Sequence, residues 1–418
     1  MVARFSGEWR EVKFNDVITP KARIGWQGLR KDEYLRSGYS YLISGTDFHN
    51  GTISLDNIWQ VSKARYDMDR NIQVAEGDVL VTKDGTIGKV ALVPKLSKPA
   101  TLNSGVFVFR THHGLAQTFL FRVLQSSIFR NFINTLAAGS TIKHLYQKNL
   151  CDFSFMLPPL DEQLAIADTL SAFDRHLSDL SELIAKKKAI RQGALEELVA
   201  QHAAGGGTSG RTRLSGFSGE WREAALGEIV VGKLSYGINA PAVPYEGRNP
   251  AYIRITDITE DGRYNKDGKV SVVVSPFERE KYRLRDGDIV LARTGSVGRS
   301  YLYDSNDGEL IYAGYLIKAS IDCKKCDPRY VAYHFHTARY WSWVAKMSKR
   351  SAQSGINSKE YASFVIPLPP LDEQLAIADT LSALDTEISA LTAEHSKLSA
   401  IRQAAINDLL SGKIRLAL

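Results

Sequence analysis

Cysteine is scarce in this 418-residue chain, and long apolar runs are absent. The three cysteines, Cys151, Cys323 and Cys326, are too few and too unevenly spaced for a disulfide framework, which favours a reducing compartment. The first residues, MVARFSGEWR, lack the apolar core of a signal peptide, and no apolar run is long enough to cross a bilayer. We therefore expect a cytoplasmic protein with no membrane partner.

Motifs of nucleotide and metal chemistry are missing as well. The chain has no G-x-x-x-x-G-K-[ST] phosphate loop, no G-x-G-x-x-G ahead of a helix and no H-E-x-x-H. Cys323 and Cys326 form a lone C-x-x-C, and His334 and His336 could complete a set of four zinc ligands. That spacing is atypical and the first half has no counterpart, so we assign no metal. We expect a non-catalytic chain that binds no cofactor itself.

The composition that is present predicts soluble, basic, globular domains. Hydrophobic residues make up 44% and aromatic residues 10% of the chain, enough for several domains to bury their own cores. Lys and Arg number 53 against 46 Asp and Glu, which gives a net charge of +7. This excess favours a polyanionic partner without proving one.

The sequence is a tandem duplication. The string LPPLDEQLAIADTLSA stands at 157–172 and again, unchanged, at 368–383, and FSGEWRE stands at 5–11 and 217–223. Between these anchors the halves have diverged, which suggests that the helical parts do one job twice while the globular parts do different jobs. The predicted segments are globular domains 1–156 and 215–367, helical regions 157–202 and 368–412, a Gly-rich linker 203–214 and a tail 413–418.

Two long helices are the clearest structural prediction. Pro158–Pro159 and Pro369–Pro370 precede acidic first turns, and neither segment then contains proline for about 40 residues, or roughly 60 Å of helix. Apolar residues follow the four-three spacing of a coiled-coil seam. The seam residues are Ile166, Leu170, Phe173, Leu177, Leu180, Ile184, Ile377, Leu381, Leu384, Ile388 and Leu391.

Polar residues interrupt this seam farther along both helices. They are Lys187 and Arg191 in the first copy and His395 and Arg402 in the second, and Gly193 costs about 1 kcal/mol of helix propensity. We therefore expect the distal helix ends to be less well packed, or packed against another protein. SGRTRL at 209–214 resembles SGKIRL at 411–416, a pattern that suits a nearly circular, pseudo-twofold arrangement with the helices antiparallel.

A strand that runs into a glycine turn occurs in both halves, as GDVLVTKDGTIGK at 77–89 and GDIVLARTGSVGR at 287–299. Glycines let a backbone approach a phosphate, hydroxyls can hydrogen-bond it and cations neutralise it. A strand-ending turn with solvated cations is the alternative, and the pattern leaves both open. The candidate phosphate contacts are Lys83, Thr86, Lys89, Arg293, Ser296 and Arg299.

A second pair of polar loops precedes the long helices, GSTIKH at 139–144 and SAQSGINSK at 351–359. Small polar residues with an occasional cation can present hydrogen-bonding groups to base edges, although a polar loop that leads into a helix needs no such role. The candidates here are Ser140, Thr141, Lys143, His144, Ser354 and Asn357. The aromatic stripes at 115–138 and 329–352 have helical spacing and are interpreted as core.

The PLPPLxEQ-type start of a long helix, the FSGEW string and the GD[IV]-to-GT[IV]G turn together resemble the DNA-specificity (S) subunit of Type I restriction-modification systems. The resemblance covers essentially the whole chain. It implies an α+β fold in which two pseudo-twofold-related target-recognition domains are joined by an antiparallel coiled coil of two spacer helices. The loop SAQSGINSK departs from the more typical GSTIKHL of the first half, so equivalent roles for the two loops do not follow.

The resemblance also implies the partners. Each recognition domain would read one part of a split site in double-stranded DNA, and the helices would bind two methyltransferase (M) subunits, joined by endonuclease and translocase (R) subunits. S-adenosylmethionine, ATP and Mg²⁺ are expected on those partners. Because the two domains differ in sequence, we predict an asymmetric target with a fixed unread spacer. A stand-alone DNA-binding regulator, a specificity subunit without a nuclease and a protein-binding scaffold remain alternatives.

Overall fold

The computed structural model describes residues 7–24, 28–138, 144–200, 213–349 and 355–416. Two compact units are present, unit 1 formed by Met1–Ser181 with Ala393–Leu418, and unit 2 formed by Glu182–Thr392. The helices are α1 Phe14–Val17, α2 Lys63–Asp67, α3 Gln117–Gln125, α4 Ser127–Ala138, α5 Leu160–Leu195, α6 Pro276–Tyr282, α7 Pro328–His334, α8 Ala338–Met347, α9 Ser358–Ala362 and α10 Leu371–Leu410.

Unit 1 contains the globular domain of the first half. Its strands are β1 Arg10–Lys13, β2 Ile18–Ala22, β3 Ser40–Ile43, β4 Phe48–His49, β5 Thr52–Ile53, β6 Gln60–Val61, β7 Gln73–Val74, β8 Val79–Thr82, β9 Val90–Leu92, β10 Ala100–Leu102, β11 Val106–Thr111 and β12 Ser154–Leu157. They form sheets of order β2-β11-β8-β9-β5-β4 and β6-β3-β10-β7, and β1 pairs with β12. The aromatic stripe is core, as predicted, since Phe119 and Phe129 are buried against the first of these sheets.

Unit 2 has a related but not identical topology, because its two larger described sheets have four strands each, whereas unit 1 has one sheet of six and one of four. Its strands are β13 Arg222–Ala225, β14 Ser235–Tyr236, β15 Ala242–Pro244, β16 Ala251–Ile253, β17 Val270–Val272, β18 Asp288–Ala292, β19 Ser300–Leu302, β20 Leu310–Tyr312, β21 Leu316–Ser320 and β22 Val365–Leu368. The sheets have orders β14-β21-β18-β19 and β15-β17-β16-β20, and β13 pairs with β22. Arg222 lies opposite Leu368 as Arg10 lies opposite Leu157, so the repeat extends to strand register.

The long helices begin where the proline pairs predict. The Gln163 backbone N–H donates to the Pro159 carbonyl at 3.0 Å, and Gln374 N–H donates to Pro370 at 3.1 Å. The helix α5 has 36 residues and continues as a π-helical turn, Glu196–Ala200, while α10 has 40 residues. None of the described helices is both long and apolar enough to cross a membrane.

Within each unit the two long helices pack antiparallel. In unit 1, Asp174 contacts Arg402 at 2.5 Å, and farther along α5, Ser181 contacts His395 at 3.0 Å. In unit 2, Lys187 pairs with Glu387 at 2.7 Å and Arg191 with Asp385 at 3.0 Å. The polar residues that interrupt the predicted seam therefore have partners on the opposite helix.

The seam residues differ in their burial. Ile166, Leu170, Leu180, Ile377, Leu381 and Ile388 are buried, whereas Phe173, Leu177, Ile184, Leu384 and Leu391 are half-buried.

The prediction of loosely packed distal helix ends is wrong. Ile406, Leu409 and Leu410, at the end of α10, are buried in the core of unit 1 with Ile166 and Leu170. Leu195, Leu198 and Val199 are buried in the core of unit 2 with Ile377 and Leu381. Each unit is thus built on the start of one long helix and the end of the other, and this packing is a tertiary effect that helical periodicity does not reveal.

Each repeat is closed by one ion pair between an arginine and a buried glutamate. We call these two pairs the joint clamps. In unit 1, Arg415 donates from Nε and Nη2 to Glu162 at 2.9 and 2.6 Å, and Trp9 Nε1 donates to the same carboxylate at 3.0 Å. In unit 2, Arg213 donates to Glu373 at 2.7 and 2.5 Å. Both glutamate side chains are fully buried. The arginines are those of the related SGKIRL and SGRTRL strings, which explains their similarity.

Candidate nucleic-acid interface

The glycine turn of unit 1 follows β8 and is held by its own backbone. Gly85 and Gly88 have φ angles of +68° and +81°, which favour glycine. The Gly88 N–H donates to the Thr82 carbonyl at 2.9 Å, and the buried Thr82 hydroxyl accepts from the Lys89 N–H at 2.9 Å. Thr86 and Lys89 are left exposed, so a hydroxyl and a cation face solvent from a fixed turn.

His144, the last residue of the second polar loop, and Leu145 lie directly beside this turn. The Leu145 N–H donates to the Lys83 carbonyl at 2.8 Å, and the His144 ring contacts the Asp84 carboxylate at 2.6 Å. The Lys83 ammonium lies 5.5 Å from the ring centroid of Phe107. Two candidate segments about 60 residues apart in sequence therefore form one surface.

Unit 2 brings the corresponding segments together in the same way. Gly295 and Gly298 have φ angles of +66° and +90°, and the Gly298 N–H donates to the Ala292 carbonyl at 3.1 Å. The Ile356 N–H donates to the Arg293 carbonyl at 2.9 Å, which ties the second loop to the turn. The backbone of the candidate site is thus duplicated, whereas its side chains are not.

Two tyrosines join the unit 2 site, and sequence reasoning missed both. The Arg293 guanidinium carbon lies 4.9 Å from the ring centroid of Tyr236, and the Arg293 N–H donates to the carbonyl of the exposed Tyr315 at 3.1 Å. The Ser358 N–H donates to the Tyr236 hydroxyl at 3.1 Å. Although partial burial acts to raise it, this hydrogen bond and the charge of Arg293 lower the pKa of Tyr236. An arginine stacked on an aromatic ring is suited to nucleic-acid contact.

Other predicted contacts in unit 2 have partners inside the protein. Arg299 donates to the Ile258 carbonyl and to the Glu260 carboxylate, both at 3.1 Å. The Asn357 side chain accepts from two backbone N–H groups at the start of α9 and caps that helix. Ser296 is half-buried in the turn. Arg293 is therefore the better-placed cation of the two that flank this turn.

Four of the predicted residues, Ser140, Thr141, Lys143 and Ser354, lie outside the described residues. In the part of the chain that is described, no group of three or more His, Cys, Asp or Glu side chains is placed to hold a metal ion. Burial raises the pKa of the Cys326 thiol to about 12, which disfavours the thiolate that zinc binds.

A second surface is formed by the unchanged string at the start of both long helices. Its leucines at the first and fifth helical positions are exposed in both copies, by 51% and 45% for Leu160 and Leu164, and by 39% and 40% for Leu371 and Leu375. Burial in the core does not account for the identity of these exposed positions. A partner of one kind that binds each copy separately would account for it.

The chain is similar to a group of named proteins along nearly its whole length. The family model for "Type I restriction modification DNA specificity domain" matches residues 7–192 and 220–399. The chain is 24% identical to the Type I restriction enzyme MjaVIII specificity subunit of Methanocaldococcus jannaschii, over 99% of this chain and 94% of that subunit. It is 26% identical to the Type I restriction enzyme EcoKI specificity subunit of Escherichia coli, over 90% of this chain and 82% of that subunit.

The solved structures agree on the fold. The chain is similar to an S subunit of a Type I restriction-modification system from M. genitalium, with a TM-score of 0.59 and 17% identity, over 98% of this chain and 99% of that one. The predicted α+β fold, with two recognition domains and antiparallel long helices, is thereby confirmed.

Proposed function

The chain belongs to the family of Type I restriction-modification DNA specificity domains, and from this premise we propose that it directs a methyltransferase to a bipartite, asymmetric DNA target. The observation that carries the proposal is the duplicated turn-and-loop surface, which keeps its backbone hydrogen bonds in both units while its side chains differ. A shared backbone suits phosphate contact, and different side chains suit different base sequences. Each unit would therefore read its own half-site.

The long helices would fix the gap between the half-sites. At 1.5 Å per residue the 40 residues of α10 extend about 60 Å. One turn of duplex is about 34–36 Å, so recognition surfaces carried on such helices would lie more than one turn apart. The base pairs between them would remain unread.

The antiparallel pairing permits a direct test of this ruler. Asp174 contacts Arg402, and seven residues farther along α5, Ser181 contacts His395. Residues 175–181 of α5 therefore lie opposite residues 395–401 of α10. Removing both segments deletes one heptad from each helix, about 10 Å, and keeps the seam in phase. We expect a shorter preferred spacer and unchanged half-sites. Removing residues 175–181 alone is the control for loss of pairing, and an unchanged spacer in the double deletion would refute the ruler.

The exposed leucines would bind the methyltransferase subunits. Two identical surfaces predict two copies of one partner, and an apolar pair on a helix is a suitable anchor. Leu164→Glu or Leu375→Glu is expected to leave one methyltransferase bound, and the double variant none, in co-expression followed by native mass measurement. Asp179→Ala, an exposed change on α5 outside the unchanged string, is the control. Retention of both subunits by the double variant would contradict this assignment.

Catalysis would belong to the partners. S-adenosylmethionine would be bound by the methyltransferase subunits, and ATP and Mg²⁺ by endonuclease and translocase subunits, in the cytoplasm. Co-expression of the chain with its cognate methyltransferase, followed by genome-wide mapping of adenine methylation, tests the function as a whole. We expect one asymmetric sequence with a constant gap. A contiguous palindrome, or methylation that does not depend on this chain, would overturn the proposal.

A further inference from the structure

A polar cluster joins the recognition domain of unit 1 to the long helices. Arg122, on α3, donates to the Asp174 carboxylate at 2.5 Å and to the Ser171 hydroxyl at 2.8 Å. Arg402, from the opposite helix, donates to the other oxygen of Asp174 at 2.5 Å. We call these four residues anchor 1.

Unit 2 has a matching cluster at the corresponding place. Tyr333, on α7, donates to the Asp385 carboxylate at 2.9 Å, and its hydroxyl lies 3.1 Å from that of Ser382. Arg191, from the opposite helix, donates to the other oxygen of Asp385 at 3.0 Å. These residues form anchor 2.

The two anchors share their helix side and differ on the domain side. Corresponding members lie 211 residues apart in sequence, and the helices supply Ser, Asp and Arg in both units. The domain supplies Arg122 in one unit and Tyr333 in the other, and both side chains are buried. The same three types of side chain on the long helices therefore bind an arginine in unit 1 and a tyrosine in unit 2.

Adhesion alone does not require these polar groups. The same domain helices already contribute Phe119, Leu120 and Tyr330 to apolar cores that include residues of the long helices. Burial of the Arg122 guanidinium is costly, and desolvation lowers the pKa of that side chain despite the neighbouring carboxylate. Apolar contact is non-directional, whereas hydrogen bonds weaken steeply as their angle departs from linear. The anchors therefore fix the orientation of each domain on its helices, which apolar contact alone does not.

We propose that Arg122 and Tyr333 are positioning residues that hold each recognition domain at one angle on its helix pair, and so restrict the spacer lengths that the chain accepts. The inference rests on the bipartite function proposed above. One additional base pair moves a half-site by about 3.4 Å and turns it by about 35°. An anchored domain must break its anchor to follow that change, whereas an unanchored domain can rock on its apolar contact.

The test compares targets that differ only in spacer length. Binding of the full chain with its methyltransferase is measured on duplexes that carry the preferred spacer or one base pair more or less. Tyr333→Phe removes the hydroxyl and keeps the ring, so the ratio of affinities between preferred and altered spacers is expected to fall about three- to tenfold. Asp385→Asn and Asp174→Asn are expected to lower it at least as much. The affinity for the target with the preferred spacer should remain within threefold of the wild-type value, and both half-site sequences should stay the same.

Matched controls separate positioning from stability. Tyr330→Phe also removes a buried tyrosine hydroxyl of α7, but that hydroxyl donates to the Pro367 carbonyl at 2.9 Å and not to a long helix. Asp179→Asn removes an exposed carboxylate of α5 outside the unchanged string. Both controls should keep the wild-type ratio. An unchanged ratio in Tyr333→Phe, or an equal fall in Tyr330→Phe, would overturn the inference, whereas a wild-type chain without spacer preference would refute the proposed function instead.

Discussion

Removing the guanidinium of the unit 2 joint clamp should destabilise the protein strongly. The Glu373 carboxylate is fully buried, and Arg213 donates to both of its oxygens, at 2.7 and 2.5 Å. Loss of one partner from a buried ion pair costs about 3–5 kcal/mol, because the remaining charge is left without solvent. One quarter of the Arg213 side chain is exposed, so water can replace part of it. We therefore expect Arg213→Met to lower the free energy of unfolding by about 3 kcal/mol.

Urea unfolding followed by circular dichroism measures the effect, and a double-mutant cycle assigns it. Arg213→Met with Glu373→Gln leaves no buried charge, so the double variant should be more stable than Arg213→Met alone. The prediction is refuted if the free energy of unfolding of Arg213→Met is less than about 0.5 kcal/mol below that of the wild type, or if the effects of the two substitutions are additive. In either case, compensation of the buried Glu373 charge is not what Arg213 contributes.

Three further predictions concern binding and stability. Arg293→Ala should reduce the slope of log affinity against log salt by about 0.9, measured by fluorescence anisotropy on duplex DNA, and a slope equal to wild type would exclude a phosphate contact. Gly193→Ala should raise the free energy of unfolding by about 1 kcal/mol, since the added methyl group meets nothing within 4 Å, and a lower melting temperature would contradict this. Burial lowers the pKa of His334 to about 3, so the free energy of unfolding of the wild type should fall below pH 6.5, where the unfolded chain binds a proton that the folded protein does not. Unfolding measured across pH 4–7 should show a smaller fall for His334→Leu. Equal falls in the two proteins would refute this role of His334.

Local signals were sufficient to predict the elements that carry the site. Proline pairs ahead of an acidic first turn placed the start of both long helices within three residues of the observed Leu160 and Leu371. Short runs of Val, Ile and Leu closed by glycine predicted β8 and β18. These elements depend on periodicity, helix capping and turn chemistry, which act over a few neighbouring residues.

The features that the sequence did not predict depend on distant residues. Arg191 and Arg402 looked like defects of the seam, but each forms an ion pair across the helices with an aspartate. Tyr236 and Tyr315 gave no signal of their own, because only the sheet order brings them to Arg293. A single sequence contains the residue types of such clusters but not their proximity.

Unit 2 is one continuous segment, Glu182–Thr392, whereas unit 1 is formed by two separate segments, Met1–Ser181 and Ala393–Leu418. During synthesis Glu182–Thr392 leaves the ribosome before Ala393–Leu418, and domains generally fold as their residues emerge. Unit 2 can therefore fold while unit 1 still lacks Ile406, Leu409 and Leu410. Until those residues emerge, the side of α5 that carries Ile166 and Leu170 remains exposed to solvent. Ala393–Leu418 therefore complete unit 1 only after the whole of unit 2 has been translated.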